Sequence, residues 1–145
     1  MSRKGDKIGY IIRPFEGRDR DAHYLGYFEC FNRRLFFEAH EVLEELWLPQ
    51  RHGPNAAFYK GLIQLAGAFV HLQKRRPGPA LALFKLAQTN LHDFRPRHEG
   101  LDLERVLGLI EHWTRQLTSA DASSDPLGSA TDEELHLQMP GRDSA

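Results

Sequence analysis

Three ionisable side chains in the stretch FFEAHEVLEELW, residues 36–47, have the types and the spacing that metal chemistry needs. Glu41 and Glu44 are three positions apart, and His40 and Glu44 are four apart, so each pair converges on one face of a helix. Carboxylates and imidazoles bind Zn, Mn or Fe, and helical bundles build such sites from facing helices. The stretch is therefore one half of a candidate metal site.

The other half is expected on the helix predicted for residues 55–74. This helix is apolar nearly all round except for one narrow polar strip. The strip consists of Lys60, Gln64 and His71. Gly61 and Gly67 flank it, which favours the close approach of a ligand or of another helix. Because the connection between the two helices is short, we expect them to pack antiparallel with their polar strips within hydrogen-bond reach.

A metal-dependent hydrolase is the leading functional hypothesis, and it gives each polar residue a role. A divalent ion, Zn, Mn or Fe, would be bound by Glu41, Glu44 and His71. His40 would help to bind the ion or act as a base, and Gln64 would orient substrate or water. The residues expected in catalysis are thus His40, Glu41 and Gln64, and the implied partner is a small-molecule substrate.

The same residues also allow an interpretation without chemistry. Phe37 and Leu48 project from the middle of the polar arc of the first helix, so we expect that helix to be covered on two sides. Its polar groups would then be partly buried and would need partners. The spacing matches neither H-E-x-x-H nor the E-x-x-H of di-iron bundles, so spacing alone favours a structural hydrogen-bond network. The alternative function is a non-catalytic helical interaction module, and a homo-oligomer is one form that it could take.

Length and charge limit the functional classes. With 145 residues, 41% hydrophobic and 27% charged, the chain is long enough for one core and too short for two ordinary domains. The formal net charge of −1 disfavours a nucleic-acid-binding protein. The single cysteine, Cys30, cannot form an intramolecular disulfide, and the amino terminus has no secretory signal pattern. We therefore expect a cytoplasmic protein without a membrane-spanning segment.

Hydrophobic periodicity predicts an all-α fold, a single bundle of about five helices with flexible N- and C-terminal tails. The bundle is expected to span residues 21–117. The helices of residues 33–48 and 55–74 form its centre, and Asn32 is the predicted N-cap of the first of them.

The two ends of the chain lack the spacing of a core element. Residues 1–20 are predicted to be a flexible or loosely docked basic arm. Residues 118–145 are predicted to be a largely disordered tail, and we expect the helical domain to fold without either end. One exception is segment 134–140, in which Leu135 and Leu137 alternate with polar residues, as in an extended segment that docks on the bundle.

Nucleotide-binding and serine-hydrolase motifs are absent, since the chain has no P-loop, no G-x-G-x-x-G after a strand and no G-x-S-x-G. Cys30 lies among aromatic residues and is interpreted as a small buried hydrophobe. The remaining histidines are interpreted as surface residues. They are His23, His52, His92, His98, His112 and His136.

The blocks FFEAHEVLEELW and GLIQLAGAFVH together resemble the family called domain of unknown function 309, with the match running from about Phe28 to Trp113. The resemblance implies a small helical bundle without an established activity, a type sometimes labelled a predicted metal-dependent hydrolase. The positions that match the family's characteristic ones are Glu38, His40, Glu41, Glu44, Trp47, Gly61, Gln64 and His71. Lys60 departs from the glutamine that is common in the family, and the turn RRPGP after the central helix departs from the family's usual Asn and Gly.

Overall fold

The structure, a computed structural model, describes residues 3–119, 126–128 and 130–141. Its helices are α1 (Arg3–Ile12), α2 (Ala22–Asn32), α3 (Phe36–Trp47), α4 (Ala56–Gln73), α5 (Pro77–His92), α6 (Leu103–Thr118) and the single turn α7 (Asp132–Leu135). Short 3-10 turns follow α1 and α3, and the antiparallel strands β1 (Arg97–His98) and β2 (Leu101–Asp102) precede α6. The protein is mostly helical, as predicted, but the expectation of a purely all-α fold is corrected by this hairpin.

The helices α3 and α4 pack antiparallel, as the sequence predicts. At one end the rings of Phe36 and Phe69 stack with their centroids 4.9 Å apart. At the other end the Nζ of Lys60 lies 4.5 Å from the ring centroid of Trp47. A contact between early α3 and late α4, combined with one between late α3 and early α4, requires opposite helix directions. The two candidate polar strips are therefore on the same pair of neighbouring helices.

Aromatic side chains hold the centre of the bundle together. Phe69 of α4 makes edge-to-face contacts with the rings of Phe31, Phe84 and Trp113, at centroid distances of 5.5, 5.2 and 5.3 Å. These partners come from α2, α5 and α6, so one buried ring touches three further helices. Such contacts add to the stabilisation from burial alone. The core thereby places α4 at the middle of the molecule.

The boundary between α2 and α3 differs from the prediction, because Asn32 ends α2 instead of capping α3. Arg34, with a φ of 60°, turns the chain, and its backbone N–H donates to the carbonyl of Phe31. The N–H of Leu35 donates to the carbonyl of Cys30, and α3 begins only at Phe36. This closes α2 with a left-handed residue in the position where glycine is usual. The periodicity of the two helices runs together in the sequence and conceals the turn.

The hairpin before α6 has a two-residue turn in which Glu99 and Gly100 both have positive φ, 50° and 70°. Two positive φ angles give the turn whose twist suits a tight antiparallel hairpin. Glutamate rarely adopts this conformation, but here its backbone carbonyl accepts a hydrogen bond from the hydroxyl of Tyr24 at 2.9 Å. Arg20 also pairs with the Glu99 carboxylate at 3.1 Å. Contacts distant in sequence thus support a local conformation that is otherwise unfavourable.

The amino-terminal segment was predicted to be an arm, but residues 3–15 of it are helical. Residues 1–2 lie outside the described ranges. Ile8 of α1 is only 1% exposed and belongs to the main core cluster. Phe15, in the turn after α1, is also buried. The domain boundary at residue 20 stays a prediction, but apolar side chains before that boundary contribute to the core.

The carboxyl-terminal segment lies against the bundle where the structure describes it. Leu135 and Leu137 are buried, and the Asn32 side chain donates to the carbonyl of Leu137 and accepts from its N–H. The Nε1–H of Trp113 donates to the carbonyl of Glu134 at 3.2 Å. Segment 134–140 thus contacts the bundle through these residues, and Leu135 belongs to the helical turn α7 and not to an extended segment. The predicted disorder concerns, in part, residues 120–125, 129 and 142–145, which lie outside the described residues.

Within the described ranges, none of the helices combines the length and the apolar character that a membrane crossing requires.

Candidate functional site

The polar arc of α3 is divided between two neighbours. On one side Lys7 of α1 donates to the Glu41 carboxylate at 3.0 Å and lies 3.4 Å from the Glu38 carboxylate. The hydrogen bond from Lys7 to Glu41 is the largest cause that raises the pKa of the Lys7 ammonium group above its ordinary value, although burial opposes it. Glu41 therefore already has a cation from its own chain.

The other side of the arc carries His40 and Glu44. The Nε2 of His40 lies 3.6 Å from a carboxylate oxygen of Glu44, one helical turn away, and both side chains are about one-third exposed. On the helical wheel His40 is next to Trp47, which contacts α4. This pair consequently lies towards α4, whereas Glu41 lies towards α1.

The strip on α4 has partners of its own. The Asn90 side chain of α5 donates to the Oε1 of Gln64 at 2.7 Å. Lys60 lies over the face of Trp47, a favourable cation–π arrangement. Nδ1 of His71 is buried and has no hydrogen-bond partner among the described residues, which is unusual for a buried ring nitrogen. His71 is thus the member of the strip with an unmet polar group.

The structure does not join Glu41 to the strip of α4, which is one of the two contacts that the sequence predicts for the glutamates of α3. No hydrogen bond between described residues connects Glu41 with Gln64 or His71, because Glu41 is held by Lys7 and Gln64 by Asn90. In the parts of the chain that the structure describes, no group of three or more His, Cys, Asp or Glu side chains is placed so that it could hold a metal ion. The ligand set of Glu41, Glu44 and His71 therefore stays a prediction.

Two apolar side chains separate the halves of the arc. Phe37 is 50% exposed and Leu48 is 45% exposed, so the expected cover is missing over these two side chains within the described residues of a single chain. Glu41 between them is only 13% exposed, as expected for a partly buried polar group. The ring of Phe37 stacks beside that of His40, with centroids 6.3 Å apart, and the Nζ of Lys7 lies 5.4 Å from the Phe37 ring centroid. We call Phe37, Leu48 and the two glutamates between them, Glu41 and Glu44, the α3 ridge.

The glycines of α4 serve helix packing. A Cβ at Gly61 would lie 2.6 Å from the Cγ of Leu91 on α5, and one at Gly67 would lie 3.3 Å from a methyl group of Leu83. The two glycines therefore let α5 approach the α4 backbone closely. Of the two interpretations that the sequence leaves open, close approach of another helix is the one observed.

Comparison with known proteins bears directly on the two helices of the site. Residues 24–83 match the model of the family DUF309, a domain of unknown function. The resemblance is confirmed over residues 24–83, and this match does not extend to Trp113 as expected from the sequence. The matched residues contain both polar strips and the whole α3 ridge, whereas Lys7 and Asn90, which hold Glu41 and Gln64, lie outside the match.

One relative comes from Bacillus subtilis (strain 168), the uncharacterized protein YpuF. It is 28% identical to this chain over 118 residues, and the match covers 77% of this chain and 66% of YpuF. No solved structure matches the chain. The comparisons thus support a domain of unknown function and assign it no reaction.

A second polar cluster, near the hairpin, does not follow from the sequence pattern. The Nε2 of His98 lies 2.7 Å from the Oδ1 of Asn55, and the His98 ring packs at 4.7 Å from the rings of Phe58 and Phe94. The sequence predicts a surface position for His98, because this residue follows a proline-containing break in the periodicity. Its partners are Phe58 of α4, Asn55 just before α4 and Phe94 just after α5, and no local pattern indicates such a cluster.

Proposed function

We propose that the protein is a non-catalytic helical interaction module whose α3 ridge binds a basic amphipathic helix of another protein. The observation that carries the proposal is the exposure of Phe37 and Leu48 on a face whose nearest glutamate, Glu41, is already paired with Lys7. Two large apolar groups on one face of one helix offer a partner two anchors that it could bury together. The charge of the Glu41 carboxylate is already compensated by Lys7, so a metal ion is not required to compensate it.

The spacing of the ridge suits a helix. Phe37, Glu41, Glu44 and Leu48 are separated by four, three and four positions, which is the seam spacing that two packed helices share. The two apolar ends are about 16 Å apart along the axis at about 1.5 Å per residue. A partner helix with apolar residues at the same separation would cover both ends at once, as in other helix-in-groove complexes.

The negative charge of α3 favours a partner helix with a positive charge. Residues 36–50 contain four glutamates and neither lysine nor arginine. Lys7 offsets part of this charge at Glu38 and Glu41, whereas Glu44 and Glu45 lie beside histidines, which offset charge only when they are protonated. Lysine or arginine in the middle of the partner helix would therefore meet an acidic centre between two apolar ends.

The test uses a designed helical peptide with Leu at both ends and Lys between them, at the seam spacing of the ridge. Fluorescence anisotropy should show binding to the wild type and at least tenfold weaker binding to the variant that combines Phe37→Ala with Leu48→Ala. Leu86→Ala is the matched control, because Leu86 is 50% exposed on α5, outside the ridge, and its loss should leave the affinity unchanged.

Three outcomes would contradict this proposal. One is the absence of binding, and another is equal binding of a peptide with Glu in place of Lys. The third is self-association of the wild type that Phe37→Ala abolishes in sedimentation, since the ridge would then serve a second copy of the chain.

A metal-dependent hydrolase is the second candidate, and the unpartnered Nδ1 of His71 is the observation in its favour. As placed, the residues do not form a ligand set, since Glu41 would first have to leave Lys7. If the hypothesis holds, protein purified without a histidine tag should contain stoichiometric Zn, Mn or Fe, and both Glu41→Gln and His71→Ala should remove it with helical content retained. Absence of metal, together with no thermal stabilisation by these ions, would eliminate the candidate.

A further inference from the structure

A groove on the other surface of α1 has the features of a small-molecule site. It is lined by α1 and its following turn on one side and by the end of α2 and the residue before α3 on the other, and its volume is about 470 Å³. This volume is within the range of ordinary ligand pockets, about 300–1,000 Å³. The groove is separate from the α3 ridge, because none of the ridge residues lines it.

The lining of the groove is apolar at its base and at its mouth. Cys30 and Phe15 are buried there, whereas Tyr10 is 75% exposed and Leu35 is 37% exposed. A hydrocarbon group bound in the groove would cover the apolar surface of these exposed side chains, which the protein alone leaves in contact with water. Burying that surface would favour binding.

Two guanidinium groups give the groove its polarity. Arg13 lines it from the turn after α1 and Arg33 from the position just after α2, and neither side chain forms an ion pair or a hydrogen bond with a described residue. One carboxylate, Glu29, is also part of the lining, so the three charged side chains carry a net positive charge. The guanidinium group of arginine presents its hydrogen-bond donors in a fork that matches a carboxylate. Two such groups beside an apolar surface complement a ligand that has both a carboxylate and a hydrocarbon chain.

The turn that positions one wall is firmly held. Arg34 adopts a φ of 60°, and its guanidinium donates to the carbonyls of Leu127 and Ala130. This places Arg33 and Leu35, on either side of it, on the groove.

We propose that this groove binds a free amphiphilic carboxylate, with its hydrocarbon chain against Tyr10, Cys30 and Leu35 and its carboxylate between Arg13 and Arg33. Apolar burial supplies affinity, and the two guanidinium groups select an anion over a cation of the same chain length. The proposal does not depend on the function proposed for the α3 ridge.

The test uses dodecanoate below its micelle concentration, with dodecyltrimethylammonium as the probe of equal chain length and opposite charge. In titrations of the full chain followed by amide chemical shifts, dodecanoate should perturb residues 10–15 and 29–35 and should bind at least tenfold more tightly than the cation. Since Cys30 is the single cysteine and lies at the base of the groove, dodecanoate should also slow its alkylation.

Two arginine variants and one control complete the experiment. Arg13→Gln and Arg33→Gln should each weaken dodecanoate binding several-fold and together abolish its preference over the cation. Arg76→Gln removes an exposed arginine at the start of α5, outside the groove, and should change nothing.

The proposal is overturned if both probes bind equally, if neither binds, or if the shifts map elsewhere. It is also overturned if the wild type binds anionic phospholipid vesicles through Arg13 and Arg33 but ignores free dodecanoate, because the groove would then recognise a lipid surface.

Discussion

At the scale of single residues, Lys7 determines which carboxylates of α3 already have a cationic partner. It lies within 3.4 Å of both Glu38 and Glu41, so one ammonium group from α1 neutralises the edge of the polar arc. The pair is only partly shielded, with the Lys7 side chain 42% exposed, so its contribution to stability is that of a surface ion pair, about 0.2–1 kcal/mol.

The first prediction concerns this pair. Lys7→Met and Glu41→Gln should show a coupling energy of about 0.5 kcal/mol in a double-mutant cycle of urea unfolding at neutral pH. Because the pKa of folded Lys7 is raised, the contribution is complete below the unfolded pKa near 10.5 and is lost as the pH rises through the higher folded value. The stability gap between wild type and Lys7→Met should therefore narrow under strongly alkaline conditions. A gap that widens there would contradict the assigned sign.

The second prediction concerns Tyr27, which is fully buried and donates its hydroxyl to the carbonyl of Leu62 at 2.6 Å. Burial raises the pKa of this phenol well above its ordinary value, so it stays a donor throughout the accessible pH range. Tyr27→Phe should lower the free energy of unfolding by about 1 kcal/mol, measured by urea unfolding. Tyr10→Phe, at an exposed position, is the control and should have no effect.

At the scale of elements, the contact between α4 and α5 depends on glycine. Leu91 and Asn90 of α5 occupy the space in which a side chain at Gly61 would have to lie. The same contact brings Asn90 to Gln64, so helix packing also determines which partner the polar strip of α4 acquires. The packing and the site are therefore coupled through one helix pair.

The third prediction tests the close packing of α5 on α4 with two glycine substitutions whose expected effects on stability have opposite signs. Gly61→Ala should destabilise by about 1–3 kcal/mol, because the new methyl group overpacks against Leu91. Gly108→Ala, in α6 with nothing within 4 Å of the added methyl group, should stabilise by up to about 1 kcal/mol through helix propensity. Thermal and urea unfolding of both variants give the comparison. Equal stabilisation by both changes would show that α5 does not approach α4 so closely.

At the scale of the whole molecule, the two ends of the chain complete the bundle. Ile8 enters the core from the amino-terminal side, and Leu135 and Leu137 enter it from the carboxyl-terminal side. Arg20 further links distant parts of the chain, since its guanidinium contacts both Glu99 and the carbonyl of Gly141. Truncation of the chain near Ser119 would expose apolar surface that these residues cover, so the dispensability of the tails expected from composition is not supported by this packing.

The fourth prediction measures the contribution of the carboxyl-terminal segment. Leu137→Ala should lower the free energy of unfolding by about 2–5 kcal/mol, as for other fully buried leucines. Met139→Ala should lower it far less, because Met139, two residues away, is 36% exposed. Urea unfolding of the full-length variants provides the measurement. If both substitutions lowered the free energy of unfolding equally, or if neither lowered it, the segment would not dock as described.

The helices and much of the core could be predicted from the sequence, because apolar periodicity and local capping are properties of neighbouring residues. The helix predicted for residues 55–74, observed as α4 (Ala56–Gln73), is in this class. The sequence also determined that α3 carries an acidic, histidine-containing face and that α4 carries a polar strip. Periodicity alone identifies the face of a helix on which a side chain lies, and it does not identify the partner.

Tertiary structure decided the partners. Lys7 is 34 positions from Glu41, and Asn90 is 26 positions from Gln64, and in both cases the contact diverts a predicted site residue towards a helix other than the expected one. The turn at Arg34, the hairpin at Glu99 and the docking of Leu137 likewise depend on groups that are distant in sequence. Such contacts form when packed helices bring together side chains that no local pattern relates, and for that reason the sequence could propose the polar residues but not their arrangement.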